Sequence, residues 1–291
     1  MTSSLRRRRG FTLIELMVGI ILSAAIGIAM VRLIMSQTRF MDNQEAWRTA
    51  RGVSRSGLNR LVSDIRLLEA EGGVEAAAAG GKDFTVRVPY AFGVVCSSTG
   101  TSTTVTLMPV DSAMFAAAGY SGFALRDGST GAYSYVTGTA APAAGTLSNC
   151  TTGTKPVDVI AAYNGSPAGQ AINLSSAAIT PPARGTLVFL YRRVRYEFKA
   201  STSVTGRTGL WRTLVTPNTS EELAAPFDST ARVRFYVLNS ATAQDAVPSP
   251  LTNTRGLELA LDGMSEKTPR GSASPKVTSV TTSVFFENRR D

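Results

Sequence analysis

Apolar positions along the chain fall into three regimes. Residues 11–31, FTLIELMVGIILSAAIGIAMV, are apolar on every side and carry one charge, Glu15. At about 1.5 Å rise per residue, a helical run of that length crosses the hydrocarbon core of a membrane. From 37 to 68 the pattern turns amphipathic. Leu58, Leu61, Ile65 and Leu68 fall at i, i+3, i+7 and i+10, one stripe of a 3.6-residue helix, with Arg51, Arg55, Arg60, Asp64 and Arg66 read onto other faces. No proline occurs before Pro89, and Glu71-Gly72-Gly73 supplies a stop. The spacing therefore predicts one helix from Phe11 to Leu68, about 87 Å long.

Residues 72–82, GGVEAAAAGGK, read as a flexible connection or a short irregular element. Beyond them the period drops to two. Phe84 to Val88, Val194 to Phe198, Arg232 to Val237 and Leu257 to Leu261 alternate apolar and polar, and strand-like runs recur at 103–108, 186–191, 210–215 and 277–286. Segments rich in Gly, Pro, Ser, Thr and Asn separate them, chiefly 119–156 and 239–256. The strands are too closely spaced for helical crossovers. The fold class expected is α+β: a long N-terminal spine helix packed against an antiparallel β-rich head, built as two small sheets.

Charge sharpens the topology. The formal net charge is +9, and four of the positive charges are Arg6, Arg7, Arg8 and Arg9, directly before Gly10 and the apolar run. Such a cluster stays cytoplasmic and places the rest of the chain outside, with Arg32 snorkelling to the outer head groups. An ordinary secretory signal would have a shorter apolar core and be cut after it. It would also not carry Glu15, because an intramembrane carboxylate is costly unless something offsets it. The sequence has no histidine, so the commonest general base and metal ligand is missing. Its two cysteines, Cys96 and Cys150, are too far apart for a CxxC motif. Nothing calls for a catalytic residue, cofactor or metal, and an enzyme is not expected.

The run Gly10-Phe11-Thr12-Leu13-Ile14-Glu15 resembles the leader junction and helix start of type IV prepilins and type II secretion pseudopilins. The resemblance implies a cleaved leader, residues 1–10, with Gly10 the last leader residue and Phe11 the N-methylated first residue of the mature chain. Removal of the leader leaves 26 basic against 21 acidic residues. It implies further that Glu15 pairs with the N-terminal amine of a neighbouring subunit during assembly. Domains then follow as a spine at 11–71, with a transmembrane segment at 11–31, and a head at 72–291. One departure is the lack of a proline near Val31-Arg32-Leu33. Gly19 and Gly27 could instead loosen the helix or let neighbours approach closely.

Farther on, 185–198 (GTLVFLYRRVRYEF), Gly209-Leu210-Trp211-Arg212, 256–261 and 281–289 resemble the heads of PilW-type minor pilins and J-type minor pseudopilins. The expected partners are other minor and major pilins, a prepilin peptidase and an inner-membrane assembly platform. The expected location is the inner membrane before assembly, then a pilus or periplasmic filament. A membrane-anchored adhesin is the rival reading. In an oxidising exterior Cys96 and Cys150 are disulfide candidates, with two buried free thiols as the alternative. Arg192, Arg193 and Arg195 beside Tyr191 and Tyr196 read as the solvated face of one strand, and nucleic-acid contact is not expected. Asp127-Gly128 and Asp262-Gly263 read as turns and not calcium loops.

Overall fold

The computed structural model describes residues 12–117, 119–127, 131–138, 140–146, 150, 169–175, 181–238 and 240–286. Helix α1 (Leu13–Ile65) is a single 53-residue helix, continuous through Gly19 and Gly27. It ends one turn earlier than the apolar spacing predicts. Arg66 caps it, and Leu68 buries its side chain from the turn that follows. Apolar side chains from Leu13 to Met35 are exposed, whereas Ala46, Ala50, Ser54, Gly57, Leu61, Asp64 and Ile65 are buried against the head. The amphipathic half alone has a partner within the subunit. Full burial of Leu61, Ile65 and Leu68 stabilises that contact by roughly 2 kcal/mol each.

Thirteen strands make up the head among the described residues. They are β1 (Val74–Ala77), β2 (Asp83–Thr99), β3 (Ser102–Leu107), β4 (Gly122–Arg126), β5 (Tyr133–Thr137), β6 (Ala143–Ala144), β7 (Gln170–Ser175), β8 (Leu187–Ala200), β9 (Thr208–Leu214), β10 (Thr219–Phe227), β11 (Arg232–Val237), β12 (Thr254–Met264) and β13 (Val277–Phe285). A short helix, α2 (Pro109–Ala117), follows β3. The pairs are antiparallel and form one connected sheet in the order β11-β12-β10-β9-β8-β2-β3-β7-β6. β1 adds to β2, β13 to β12, and the β4–β5 hairpin to β8.

The expectation of two small sheets is therefore corrected. The alternating runs at 186–191 and 194–198 are one strand, β8, paired with β2 from Asp83↔Glu197 to Val94↔Leu187. This ribbon passes through two cores. Near the helix it contributes Phe84, Val86, Val88, Val194, Tyr196 and Phe198 to a cluster with Leu61, Ile65, Leu210, Phe227 and Leu259. Farther out it contributes Ala91, Val95, Val188 and Leu190 to a second cluster with Leu107, Phe123 and Ile172.

Two segments read as connections, 72–82 with a short irregular element as its alternative, hold strands. Within 72–82 lies β1, whose alanines give no apolar alternation but whose backbone pairs with β2. Within 119–156 lie β4, β5 and β6, and Cys150 at its far end is joined to Cys96 of β2 by a disulfide. Asp262-Gly263 is not a turn but lies inside β12. Gly128 lies outside the described residues; Asp127 stands where the β4–β5 hairpin turns, its carbonyl accepting from Gly131 N–H.

Candidate functional site

The start of α1 is the first candidate. Thr12 is its N-cap, in an extended conformation that turns its hydroxyl back over the first turn. The hydroxyl accepts from Glu15 N–H at 3.2 Å and donates to Glu15 Oε2 at 3.2 Å, while Thr12 N–H donates to the same oxygen at 3.0 Å. This is a capping box, and its Thr-x-x-Glu spacing was readable in the sequence. Its consequence for Glu15 is directional. The carboxylate points toward the N-terminal end of the helix, where the helix dipole and free backbone N–H groups favour an anion. Gly10 and Phe11 lie outside the described residues.

A second candidate is the seat of the helix on the head. Asp64, read by periodicity onto a face other than the apolar stripe, is buried. Its Oδ2 accepts from Tyr196 Oη at 2.5 Å and Arg212 Nε at 3.2 Å, and Arg192 approaches Oδ1 at 3.8 Å. Burial, followed by the Asp64 charge, pushes the Tyr196 phenol well above its ordinary value. About three turns back, Ser54 Oγ accepts from Gly263 N–H at 2.9 Å and donates to the Thr278 carbonyl at 3.0 Å, with the Ala50 carbonyl at 3.2 Å as the alternative acceptor. α1 thus crosses β10, β12 and β13 where Phe227↔Gly263 forms the bridge between β10 and β12. These polar contacts fix the helix in register on the sheet.

The arginines of β8 are not a solvated track. Arg193 Nε bonds Glu75 at 2.6 Å, and Arg195 grips Asp83 through two nitrogens at 2.9 and 2.6 Å. Arg192, on the opposite face of the strand, turns toward Asp64. Ion pairs with Glu75 and Asp83 of the head and with Asp64 of α1 account for all three.

Among the described residues α1 is the one helix long and apolar enough to cross a membrane, and its apolar window has no contact with the head. Residues 5–31 match the family model described as the prokaryotic N-terminal methylation motif. The chain carries the prepilin methylation motif. Type IV pilins and pseudopilins share it, and as structural subunits they are not enzymes. The matched stretch takes in Gly10, Phe11 and Glu15, less than a tenth of the chain. No curated protein and no solved structure matches. The prepilin motif implies processing by a prepilin peptidase and assembly with pilins, and the exposed apolar helix accords with an inner-membrane anchor before assembly.

Proposed function

We propose that the chain is a minor type IV pilin, a structural subunit that helps initiate or cap pilus assembly. Residues 1–10 are the leader, Gly10 its last residue, and Phe11 the N-methylated first residue of the mature subunit. Residues 11–71 are the spine and 72–291 the head. The observation that carries the reading is Glu15: the one charge in an otherwise apolar helix start, aimed back toward the site of cleavage. Once Phe11 is freed, its amine is largely protonated near neutral pH. The carboxylate then pairs with such an amine on a neighbouring subunit. In a low-dielectric surround, leaving either charge alone is the costly outcome, so the pair sets axial register more than it adds stability. The many-stranded head, with an extended distal lobe, suits a specialised subunit over a repeating one. A pseudopilin of a type II secretion filament would share the motif, and the identity of the co-assembling subunits separates the two.

The test is intact mass and N-terminal sequencing of chain purified from membranes of a host with its own prepilin peptidase. A chain beginning at methylated Phe11 is expected. Glu15→Ala is expected to be cleaved normally yet to fall at least tenfold in sheared filaments. A chain still beginning at Met1 would overturn the reading in favour of an anchored adhesin; normal filament incorporation of Glu15→Ala would remove the role given to Glu15.

A further inference from the structure

Strand β13 ends the sheet on one side and leaves that side open. It pairs with β12 alone, and the register runs without a shift from Gly256↔Phe285 to Met264↔Val277. Two flanking bonds fix the phase of this ladder: Ser265 N–H donates to the Lys276 carbonyl, and Phe286 N–H to the Arg255 carbonyl. In an antiparallel pair alternate residues bond inward, so the even-numbered residues of β13 face β12. Val277, Ser279, Thr281, Ser283 and Phe285 therefore turn their N–H and C=O groups outward. Among the described residues none of those backbone groups has a bond.

An edge of this kind is ordinarily blunted by a charge, a proline, a bulge or a short length. β13 reads VTSVTTSVF, with no charge and no proline, and it carries no bulge against β12. Other edges of the sheet are guarded. β6 is two residues long, and β11 carries Arg232 and Arg234 and is bridged at Phe235 by Gln244. The flank of β13 is unfinished in a second way. Leu58 and Val62 of α1 and Val280 of β13 are only half-buried, and a groove of about 460 Å³ runs between the helix and the strand at Leu58, Val62, Thr282 and Phe285.

We propose that β13 is a strand-addition site, at which an extended segment of a different filament subunit pairs with the open edge and lengthens the sheet. Main-chain bonds supply affinity in this mode, and alternate side chains supply specificity. Successive residues of a strand point to opposite faces, so every second residue of the occupant lies on the α1 side, against Leu58 and Val62, and is apolar. A second copy pairing through its own β13 does not fit. α1 runs alongside β13 in the same direction, with Ser54 at Thr278 and the stretch from Leu58 to Arg66 beside Thr282 to Phe285. Antiparallel pairing of two β13 strands about a two-fold axis would therefore set the two spines head to tail. Subunits whose apolar helix halves enter one membrane from the same side cannot meet that way. The proposal rests on the filament reading above and adds to it backbone pairing between heads.

The test uses the full chain in a host carrying its filament system, with Phe285 replaced by photoreactive benzoylphenylalanine. Irradiation is expected to cross-link it to the head of another prepilin, at an extended segment with apolar residues at alternate positions. Thr281→Pro removes an outward N–H that no bond within the chain uses, and edge strands tolerate proline at such positions. It is expected to reduce the cross-link at least tenfold with leader cleavage and urea midpoint unchanged, whereas Thr281→Ala retains it. Cross-links to a second copy of this chain, to a helix, or to nothing would overturn the proposal. So would an undiminished yield in the proline variant, or an equal loss in the alanine variant. A leader-cleaved chain with any of these results removes the strand pairing alone; an uncleaved chain removes the filament reading with it.

Discussion

Glu222 shows how much one side chain can organise. It stands on β10, and its Oε2 accepts from the N–H and hydroxyl of Thr202 at 3.1 and 2.8 Å and from those of Ser203 at 3.1 and 2.9 Å. Burial works to raise its pKa, but the hydroxyl and amide donors of the β8–β9 turn outweigh it and hold the carboxyl at about 2. Because this value lies below the ordinary glutamate value of about 4.5, the carboxylate stabilises the fold above pH 4.5. That contribution is lost as the pH falls from there toward 2. Glu222→Gln is therefore expected to lower the urea midpoint of the detergent-solubilised chain at pH 7, with the gap to the unsubstituted chain closing between pH 5 and 2. A gap that stayed constant over that range would refute the assignment. Little of this was legible in the sequence, because the donors on Thr202 and Ser203 lie 20 and 19 residues from Glu222. Asp64 escaped for the same reason. A carboxylate off the apolar stripe gives no sign of burial until its partners, 132 and 148 residues away, are known.

At the scale of elements, the helix stripe and the alternating strands were legible because each is a local period imposed by burial on one face. Leu61 and Ile65 stand where the spacing put them, and Leu68 is buried from the turn beyond the helix. Elements whose order comes from pairing alone left no such trace: β1 is Val-Glu-Ala-Ala, and β10 carries Pro226 and two adjacent glutamates. The contact between helix and sheet depends on a residue that read as part of a turn. A Cβ at Gly263 would stand 2.3 Å from both the Ala50 carbonyl oxygen and Ser54 Oγ, and 2.8 Å from Ser54 N. Those are helix backbone atoms and the hydroxyl that ties α1 to β12 and β13, so neither can yield without moving the helix. Gly263→Ala is expected to destabilise the head by about 2–3 kcal/mol, the usual cost of overpacking, as measured by chemical denaturation. A loss below about 0.5 kcal/mol would mean that the helix can ride higher on the sheet. The N-terminal site was legible through its motif, since Gly10, Phe11 and Glu15 are adjacent in the chain.

At the scale of the whole molecule, the disulfide closes the distal lobe. Cys96 and Cys150 are 54 residues apart in sequence, and the bridge encloses β3, α2 and β4 to β6. Constraining so long a loop in the unfolded chain stabilises by about 4 kcal/mol in the chain-entropy model. Alkylation of the denatured, unreduced protein is expected to add no label, and Cys96→Ala/Cys150→Ala to lose stability of that order. Label on either thiol without reductant would refute the bridge in the native chain. The β2–β8 ribbon has a consequence of another kind. Because the same two strands serve both cores, they join the outer lobe to the spine, with one irregularity between Pro89 and Ala91 where the cores meet. A pull on the tip travels down one hydrogen-bonded beam, past Asp64 and Gly263, into the long helix. The head is a cantilever that transmits tension to its root.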